Sequence, residues 1–529
     1  MRACAAVRKG GRAQRRIPYH TFSEPKRATT AAQAIDFKPS GGFEFAGTWG
    51  NVTGDKGTPH SGLQGGTGSS KNHSFGQRFR LYLDVVASES LRGFFGFENN
   101  VQWGKNTQVG GSGLVGRASG GGIGTRGTDF EILWAYVDWI PPHTDLRIRM
   151  GLQPAANPGF VQGGSNVVGA EHMAGITTSY QFTPNVGSVL AWYRPYADNL
   201  GYTASNGNAT ANRTFSDVDA FLLAIPLSFD GVKVTPWGMY AAVGRDAHRG
   251  YNGRAQGDWP GYTVPVWFSK PTTLAALGVP AGATVSTSDG QGSAWWLGLT
   301  GELTLWNPFR LAWDFNYGSA DLGKVTVNGD KTAMKAKRQG WLLNVLAEYK
   351  LDFMTPGLAF WYTSGDGRNW EKGSKMMPAV RPTNKMTSFG FDTTSWIFPA
   401  AAIGQGIQGT WGIMAQLKDL TFVQDLKHDV RLAYYRGTNS NKAVKDINGN
   451  GGTAFPFIQQ QQFYTRYMTD KDSAWEFNLD SYYNIYKNLQ LCVELGYIKP
   501  SMNRATWGKD LKDRNESMYK ITIGMRYMF

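Results

Sequence analysis

Two pairs of arginines have the spacing that places guanidinium groups on one face of an extended strand. Arg78 and Arg80 are separated by one apolar residue, as are Arg147 and Arg149. Side chains alternate across a strand with period two, so both members of each pair project to the same side. If that side lines a water-filled passage, the four arginines form a basic ladder, and a net ring of arginine favours anions.

Acidic residues near these pairs allow two interpretations. Asp84 belongs to the same run as Arg80, Glu98 belongs to the next run, and Glu171 ends a segment with Pro and Gly bends, 154–171. An acidic segment opposite a basic wall would set up a transverse field that orients dipolar solutes. Alternatively, the acids pair with the arginines and only satisfy the wall. The residues alone leave both interpretations open.

Catalytic chemistry has no comparable pattern. The His residues are scattered, and the adjacent His428 and Asp429 would project to opposite faces of a strand. The two cysteines, Cys4 and Cys492, form no CxxC pair, so a haem or zinc site is not expected. We predict no enzymatic activity and no cofactor.

One short stretch resembles the opening of a calcium loop. Asp446, Asn448 and Asn450 alternate before a glycine, but the twelfth position is Phe457 rather than the bidentate Glu that such loops use. We interpret the stretch as an Asn/Gly-rich surface loop, with those three residues as a weak calcium candidate.

The end of the chain gives the strongest indication of the elements that position these residues. Residues 519–529 alternate apolar or aromatic side chains with Lys, Thr, Gly and Arg, and they end in Phe529. A transmembrane β-barrel needs a strand with one apolar and one polar face. We predict that Tyr527 and Phe529 close the barrel and form the signal presented to the barrel-assembly machinery. An edge strand of a soluble sandwich is the alternative.

Similar segments of about 9–13 residues, long enough to cross a bilayer when tilted, recur along the chain. We predict an all-β fold, a transmembrane antiparallel β-barrel of about 18 strands, with 16 as the alternative count. The predicted strands are 42–50, 75–87, 91–103, 128–140, 145–153, 172–182, 186–195, 217–229, 232–243, 293–306, 309–318, 338–350, 357–365, 409–422, 426–437, 473–486, 489–498 and 517–529.

Short turns and long polar loops alternate between these segments. Short periplasmic turns such as Asp230-Gly231, with long external loops, are typical of outer-membrane barrels. Charged residues share one face of each segment, and a charge facing lipid costs about 2–4 kcal/mol near the midplane. We therefore interpret the interior as a wet channel rather than a packed core. The largest predicted loops are 104–127, 244–292, 366–408 and 438–472.

Hydrophobicity and charge along the chain divide it into a leader and one domain. No run of 18 apolar residues occurs, which excludes a helical bundle in the membrane. Of the net charge of +14, residues 1–34 contribute +7. We predict that 1–34 is a basic leader, or a mis-assigned start or signal region, and that 35–529 is a single barrel domain. No nucleic-acid partner is expected.

Several segments resemble homotrimeric outer-membrane porins of sulfate-reducing bacteria. The matching stretches are Gln77–Leu81, Asp145–Pro154, Ala191–Tyr196 and the closing strand with Phe529, so the likeness runs from about residue 42 to the end. It implies passive diffusion of small polar solutes through three parallel pores in the outer membrane of a Gram-negative bacterium. The implied partners are two further copies of the chain, outer-membrane lipid and lipopolysaccharide, and the assembly machinery.

In general porins the third external loop folds into the lumen and narrows it, and by our count that loop is 154–171. A diffusion channel for small hydrophilic solutes and ions is therefore the leading prediction. A substrate-specific uptake channel is the alternative, and a barrel-borne outer-membrane enzyme is the least favoured.

Overall fold

The structure contains twenty β-strands, which form one antiparallel sheet. The computed structural model describes residues 35–51, 72–104, 130–161, 171–196, 217–244, 285–287, 291–327, 330–368, 372–378, 385–391, 402–403, 406–442, 468–507 and 515–529. The strands are β1 Asp36–Gly50, β2 Asn72–Val86, β3 Leu91–Gln102, β4 Glu131–Trp139, β5 Arg147–Ala155, β6 Glu171–Thr183, β7 Val186–Tyr196, β8 Val218–Ala224, β9 Leu227–Phe229, β10 Val232–Gly244, β11 Val285–Thr287, β12 Gln291–Leu303, β13 Phe309–Val327, β14 Asp330–Tyr349, β15 Thr355–Thr363, β16 Thr410–Val423, β17 Leu426–Gly437, β18 Ser473–Tyr486, β19 Leu489–Ser501 and β20 Met518–Met528.

These twenty elements make 18 barrel strands. β8 and β9 are one strand interrupted at Pro226, which lacks a backbone N–H, and both pair with β10. β11 and β12 pair with successive parts of β13, so they also count as one barrel strand. The predicted count of about 18 strands is confirmed.

The first and last strands close the barrel. β1 pairs with β20 from Gly42 opposite Met528 to Gly50 opposite Lys520. The backbones of Gly41 and Phe529 exchange two hydrogen bonds, of 3.0 and 3.1 Å. The structure therefore places the end of the chain at the closing seam, as predicted, and leaves no free sheet edge there.

Short connections lie at one end of the barrel and long ones at the other, as predicted. The β18–β19 turn, for example, is two residues long. The largest departure from the predicted strands is β13 and β14, which continue to Val327 and begin at Asp330. The predicted strands 309–318 and 338–350 stop short of these bounds, and Lys and Gly residues interrupt the apolar alternation between them.

The outer surface is apolar along the closing strand and its neighbours. On β20, Ile521, Ile523 and Met525 are exposed, while Lys520 and Thr522, in the alternate phase, are buried. A barrel with this exterior satisfies its backbone internally and presents hydrocarbon to the surroundings. Among the described residues, no helix is long and apolar enough to span a membrane.

The core lies inside the barrel, and here one prediction is wrong. We expected a wet interior without packing, but large apolar side chains fill part of it. The largest of the side chains exposed by less than 2% are Trp296, Leu342, Trp361, Met377, Met386, Phe389, Phe391, Ile403, Ile407 and Tyr435. Six of them come from chain between β15 and β16, which the strand pattern could not place.

Two predictions lie outside the described residues. These are the leader, 1–34, and the weak calcium candidate formed by Asp446, Asn448 and Asn450. Within the described part of the chain, no group of three or more His, Cys, Asp or Glu side chains could hold a metal ion.

Candidate functional site

The first arginine pair lies inside the barrel on β2, opposite acids of β3. The Arg80 Nε donates to a Glu98 carboxylate oxygen at 2.5 Å. The Arg78 Nε donates to the Asn100 side-chain oxygen at 2.8 Å and lies 3.5 Å from Glu98. The two arginines and Glu98 therefore form one cluster, as the wall-pairing interpretation expected.

This cluster continues across the closing seam. Glu44 on β1 accepts from Arg526 on β20 at 2.6 Å and from Arg78 at 3.5 Å. Three guanidinium groups thus share two carboxylates, Glu44 and Glu98, and the cluster keeps a formal charge of +1. Neither Glu44 nor Arg526 was among the predicted site residues, although both occupy the polar phase of their strands.

The second arginine pair shares a single acid on β4. Arg149 donates two hydrogen bonds to the Asp138 carboxylate, at 2.6 and 2.8 Å, which is the bidentate geometry that arginine favours. The Arg147 guanidinium lies 3.7 Å from the same carboxylate. The Arg149 guanidinium also lies 4.1 Å above the Tyr136 ring. Asp138 was not predicted.

The remaining predicted acids do not oppose the arginines as an acidic loop. Asp84 pairs instead with Arg92 on β3, at 2.9 Å. Glu171 is the first residue of β6 and pairs along the backbone with Ala155, and its side chain is not among those described. A transverse field that depends on Glu171 stays a prediction.

A further charged network lies on β10–β16 near the short-turn end. Arg310 donates to Glu302 and to Glu348, each at 2.8 Å. Lys233 reaches Glu302 at 2.9 Å, and Lys418 reaches Glu348 at 3.2 Å. Because acidic and basic residues alternate on neighbouring strands, each of the two buried carboxylates pairs with two cations.

The third long loop enters the lumen, as the porin resemblance implied, although only its first part is described. The Asp314 carboxylate accepts the backbone N–H of Phe160 at 2.8 Å and of Val161 at 3.0 Å. Arg310 donates to the Phe160 carbonyl at 3.1 Å. An inward acid and an inward arginine of β13 therefore hold residues 156–161 against the opposite wall.

A second set of segments, which we call the inserted segments, fills the lumen beside β12–β19. Its polar backbone is anchored by buried wall residues. The Ser388 hydroxyl donates to Asp480 at 2.9 Å, Gly390 N–H donates to Glu476 at 2.9 Å, and the Lys520 ammonium donates to the Ser388 carbonyl at 2.7 Å. The inserted segments are 372–378, 385–391, 402–403 and 406–409.

The apolar side of the inserted segments packs on wall aromatics. Phe391 meets the Tyr435 ring edge-on at 5.0 Å and the Trp361 ring at 5.8 Å. The Trp296 indole donates to the Pro378 carbonyl at 2.9 Å. Edge-to-face packing of this kind fixes the orientation of the rings and excludes water.

Small wall residues make room for this packing. A Cβ on Gly496 of β19 would lie 2.6 Å from the Phe389 Cβ, and one on Gly340 of β14 would lie 2.5 Å from the Met377 nitrogen. Ala433 of β17 is buried as well. Because inward positions of a wet barrel have no need to be small, these residues indicate that the wall is shaped to receive the inserted segments.

Side chains on the two sides of the lumen differ in solvent exposure, even at the same distance from the short-turn end. Arg80 lies six residues from the short-turn end of β2, and Asp480 lies six residues from that end of β18. The Arg80 side chain is 37% exposed, whereas that of Asp480 is 0% exposed. We call these regions the arginine wall and the sealed wall. The arginine wall comprises Glu44, Arg78, Arg80, Arg92, Glu98, Asp138, Arg147, Arg149 and Arg526. The sealed wall comprises Gly340, Trp361, Arg431, Ala433, Tyr435, Glu476, Asn478, Asp480, Glu494, Gly496 and Lys520.

On the arginine wall the acids lie beneath the bases. The carboxylates of Glu98 and Asp138 are 8% and 4% exposed, while the guanidinium side chains above them stay partly exposed. A solute in the remaining passage therefore meets mainly positive charge, even though every predicted arginine has an acidic partner.

No family model matches the sequence, and no curated protein does. Solved structures of similar fold exist. The outer membrane protein OprD from Pseudomonas aeruginosa is 12% identical, over 94% of this chain and 95% of that one, with a TM-score of 0.47. OccAB1 from Acinetobacter baumannii is 10% identical, over 93% and 97% of the two chains, with a TM-score of 0.47. A BenF-like porin from Pseudomonas fluorescens Pf-5 is 8% identical, over 93% and 98%, with a TM-score of 0.47. Likenesses at this level assign a role to no residue of the lumen.

Proposed function

We propose that this chain is a porin of the outer membrane of a Gram-negative bacterium, through which small hydrophilic solutes and ions diffuse passively. The observation that carries the proposal is a closed 18-strand barrel with an apolar exterior and partly exposed arginines inside. Charged side chains inside a membrane-spanning barrel need water, and water inside a barrel that is open at both ends makes a conduit. The short-turn end then faces the periplasm.

Planar-bilayer recording tests this proposal. Purified protein added to one side should give stepwise increases in conductance, each step being one insertion event. A preparation that keeps its strand content by circular dichroism but gives no steps would refute the channel.

The packed half of the lumen favours the narrower of the two channel types, a substrate-selective one. Among the described residues, the inserted segments cover the sealed wall and residues 156–161 are held on Asp314 of β13, so we propose that solutes pass along the arginine wall. We propose a preference for anions, because most of the partly exposed charges on that side are guanidinium groups, with Asp84, 30% exposed, as an acidic exception. Flux that saturates with solute concentration would support a selective channel, and linear flux would support a general pore.

Catalysis by the barrel is not favoured. The inward acids that the structure describes are engaged by arginines, lysines or backbone N–H groups, which leaves none poised as a general base in an obvious cleft. Lipid and peptide hydrolysis assays on the purified protein discriminate this alternative, and we expect no turnover.

We also propose that the protein forms a homotrimer. This rests on the resemblance of Gln77–Leu81, Asp145–Pro154 and Ala191–Tyr196 to the homotrimeric porins of sulfate-reducing bacteria. Light scattering of the detergent-solubilised particle, corrected for bound detergent, should give three chains. A mass equal to one chain would rule out the trimer and would leave the channel proposal unaffected.

A further inference from the structure

Four aromatic side chains lie together on the arginine wall. They are Tyr82 of β2, Phe94 of β3, and Trp134 and Tyr136 of β4, and we call them the aromatic cluster. The Tyr82 ring stacks on that of Trp134, with 5.5 Å between the ring centroids. Phe94 stacks on Tyr136 at 5.2 Å and lies 5.9 Å from Trp134. The four rings therefore form one continuous patch.

The strand pattern places this patch inside the barrel. Tyr82 lies two residues from Arg80 on β2, and Tyr136 lies two residues from Asp138 on β4, so both share the inward phase. Phe95, the neighbour of Phe94 along β3, is 41% exposed on the outer face. The rings of the aromatic cluster therefore face the lumen and not the membrane.

A glycine beneath the rings allows two of them to meet. Gly96 of β3 pairs with Tyr82 on one side and with Trp134 on the other. A Cβ at Gly96 would lie 3.2 Å from the Trp134 ring and 3.3 Å from the Tyr82 ring, closer than ordinary van der Waals contact. Because Gly96 has no side chain, the two rings close over the β3 backbone and stack on each other.

Aromatic residues of the two walls differ in what covers them. Trp361 on the sealed wall is 0% exposed, because the inserted segments pack on it. In the aromatic cluster, Tyr82 and Tyr136 are buried, but Phe94 and Trp134 are only half-buried and keep part of their surface open to the lumen. An uncovered ring surface offers a flat apolar contact to another ring.

Guanidinium groups flank the aromatic cluster on both sides. Arg80 lies two residues from Tyr82, toward the long-loop end. The Arg149 guanidinium lies 4.1 Å above the Tyr136 ring, on the side nearer the short-turn end. A solute with a negative group and a flat ring can therefore contact a guanidinium group and the aromatic cluster at the same time, whereas an anion without such a ring makes only the first contact.

We propose that the aromatic cluster is a binding subsite for anions that carry a flat ring. The ring stacks on Phe94 and Trp134, while the anionic group binds the neighbouring guanidinium groups. The inference rests on the proposed function, because it names the class of solute that binds in the anion-preferring passage. Phosphate and carboxylate groups both suit the guanidinium groups, so the ring-bearing anion can be a nucleotide or a carboxylate.

Interruption of the single-channel current by added anions tests the subsite. Two pairs of probes differ by the flat ring, namely adenosine monophosphate against ribose phosphate and phenylacetate against cyclohexylacetate. Within at least one pair, the probe with the flat ring should halve the mean current at a concentration about fivefold lower than its match, since stacking on an aromatic side chain strengthens binding by that factor or more. The pair with the larger ratio identifies the ring-bearing solute as a nucleotide or a carboxylate.

A pair of double variants separates the rings that face the lumen from those on the outer face. Phe94→Leu with Trp134→Leu removes both open rings, leaves every arginine in place and should abolish the preference for the flat ring. Phe95→Leu with Trp139→Leu is the matched control on the same two strands, because these residues are 41% and 39% exposed on the outer face. The control should keep the preference of the unchanged protein.

Two results overturn the subsite and leave the channel standing. One is equal block by both members of each probe pair in the unchanged protein, a comparison that does not depend on the folding of any variant. The other is an equal loss of preference in the two double variants. A protein that gives no conductance steps at all would instead reject the channel, and the subsite with it.

Discussion

Lys520 and Arg526 lie on the same strand, point into the same lumen and each pair with a glutamate, yet their surroundings differ. Lys520 contacts Glu494 at 3.1 Å and is 3% exposed, because the inserted segments cover it. Arg526 contacts Glu44 at 2.6 Å and is 36% exposed. The sealed wall and the arginine wall are thus built from similar ion pairs, and the chain lying over them decides which one meets solutes.

This difference changes what an ion pair does. On the sealed wall the pairs orient and anchor the inserted segments, and each buried charge depends on its partner. On the arginine wall the carboxylates are largely buried but the guanidinium groups are partly exposed, so water screens these pairs more than those of the sealed wall and each contributes less to stability. Their remaining effect is electrostatic, because they fix positive charge along the passage.

The largest expected effect comes from removing one cation from each wall in turn. Lys520→Met leaves Glu494 and the Ser388 carbonyl buried without their partner, and it should lower the free energy of unfolding by about 3–5 kcal/mol. Arg526→Met should cost about 0–1 kcal/mol. Denaturation of each variant in detergent, followed by tryptophan fluorescence, measures both, and equal losses would remove the distinction between the walls.

Displacing the inserted segments should enlarge the passage. Gly496→Leu places a side chain where Phe389 packs, so segment 385–391 must move away from β19. Single-channel conductance should rise. Gly93→Leu is the control, because a Cβ there meets its nearest neighbour at an ordinary 3.7 Å on the outward face of β3. A conductance unchanged in both variants would mean that the inserted segments do not limit the passage.

Charge removal from the arginine wall should alter ion selectivity. A unit charge at 4 Å in water is worth about 1 kcal/mol, so Arg147→Ala with Arg149→Ala should lower the anion-to-cation permeability ratio by about fivefold per arginine. The reversal potential under a salt gradient measures this ratio. Arg431→Gln, on the sealed wall, should leave the ratio unchanged. An unaltered reversal potential in the double variant would remove both arginines from the selectivity filter.

The smallest effect is expected where charge is kept and geometry is changed. Arg80→Lys keeps a cation in the passage and should leave the reversal potential within error, whereas Arg80→Gln should shift it toward cations. If the lysine variant shifted the potential as far as the glutamine variant, the hydrogen-bond geometry at Glu98 would matter more than charge.

The sequence predicts the barrel well because each strand obeys one local rule. The polar phase of residues 519–529 and the charged phase of 473–486 follow from period two, and closure at Phe529 follows from having no free edge. The pairing partners were less accessible. Glu44 lies 34 residues from Arg78 and 482 residues from Arg526, whereas Asp138 lies only 11 residues before Arg149, on the preceding strand. Sequence alone could not rank them above other acids.

The inserted segments were missed for a different physical reason. Irregular chain has no periodicity, so residues 366–408 were interpreted as polar loop, although Met376, Met377, Phe389 and Phe391 are apolar. The usable signal was the coincidence of those apolar residues with small inward residues such as Gly340 and Ala433. A water-filled interior requires neither apolar loop residues nor small inward wall residues. Together they indicate that the loop packs against the wall.

Cysteine accessibility during single-channel recording tests the central claim most directly. In a Cys4→Ser background the remaining Cys492 is buried, so an introduced thiol is the one that a charged methanethiosulfonate reagent reaches. Arg80→Cys should be modified in the open channel and lower its conductance, whereas Ala433→Cys should be unaffected. Modification of Ala433→Cys with loss of current, and none at Arg80→Cys, would place the passage along the other wall and contradict the account.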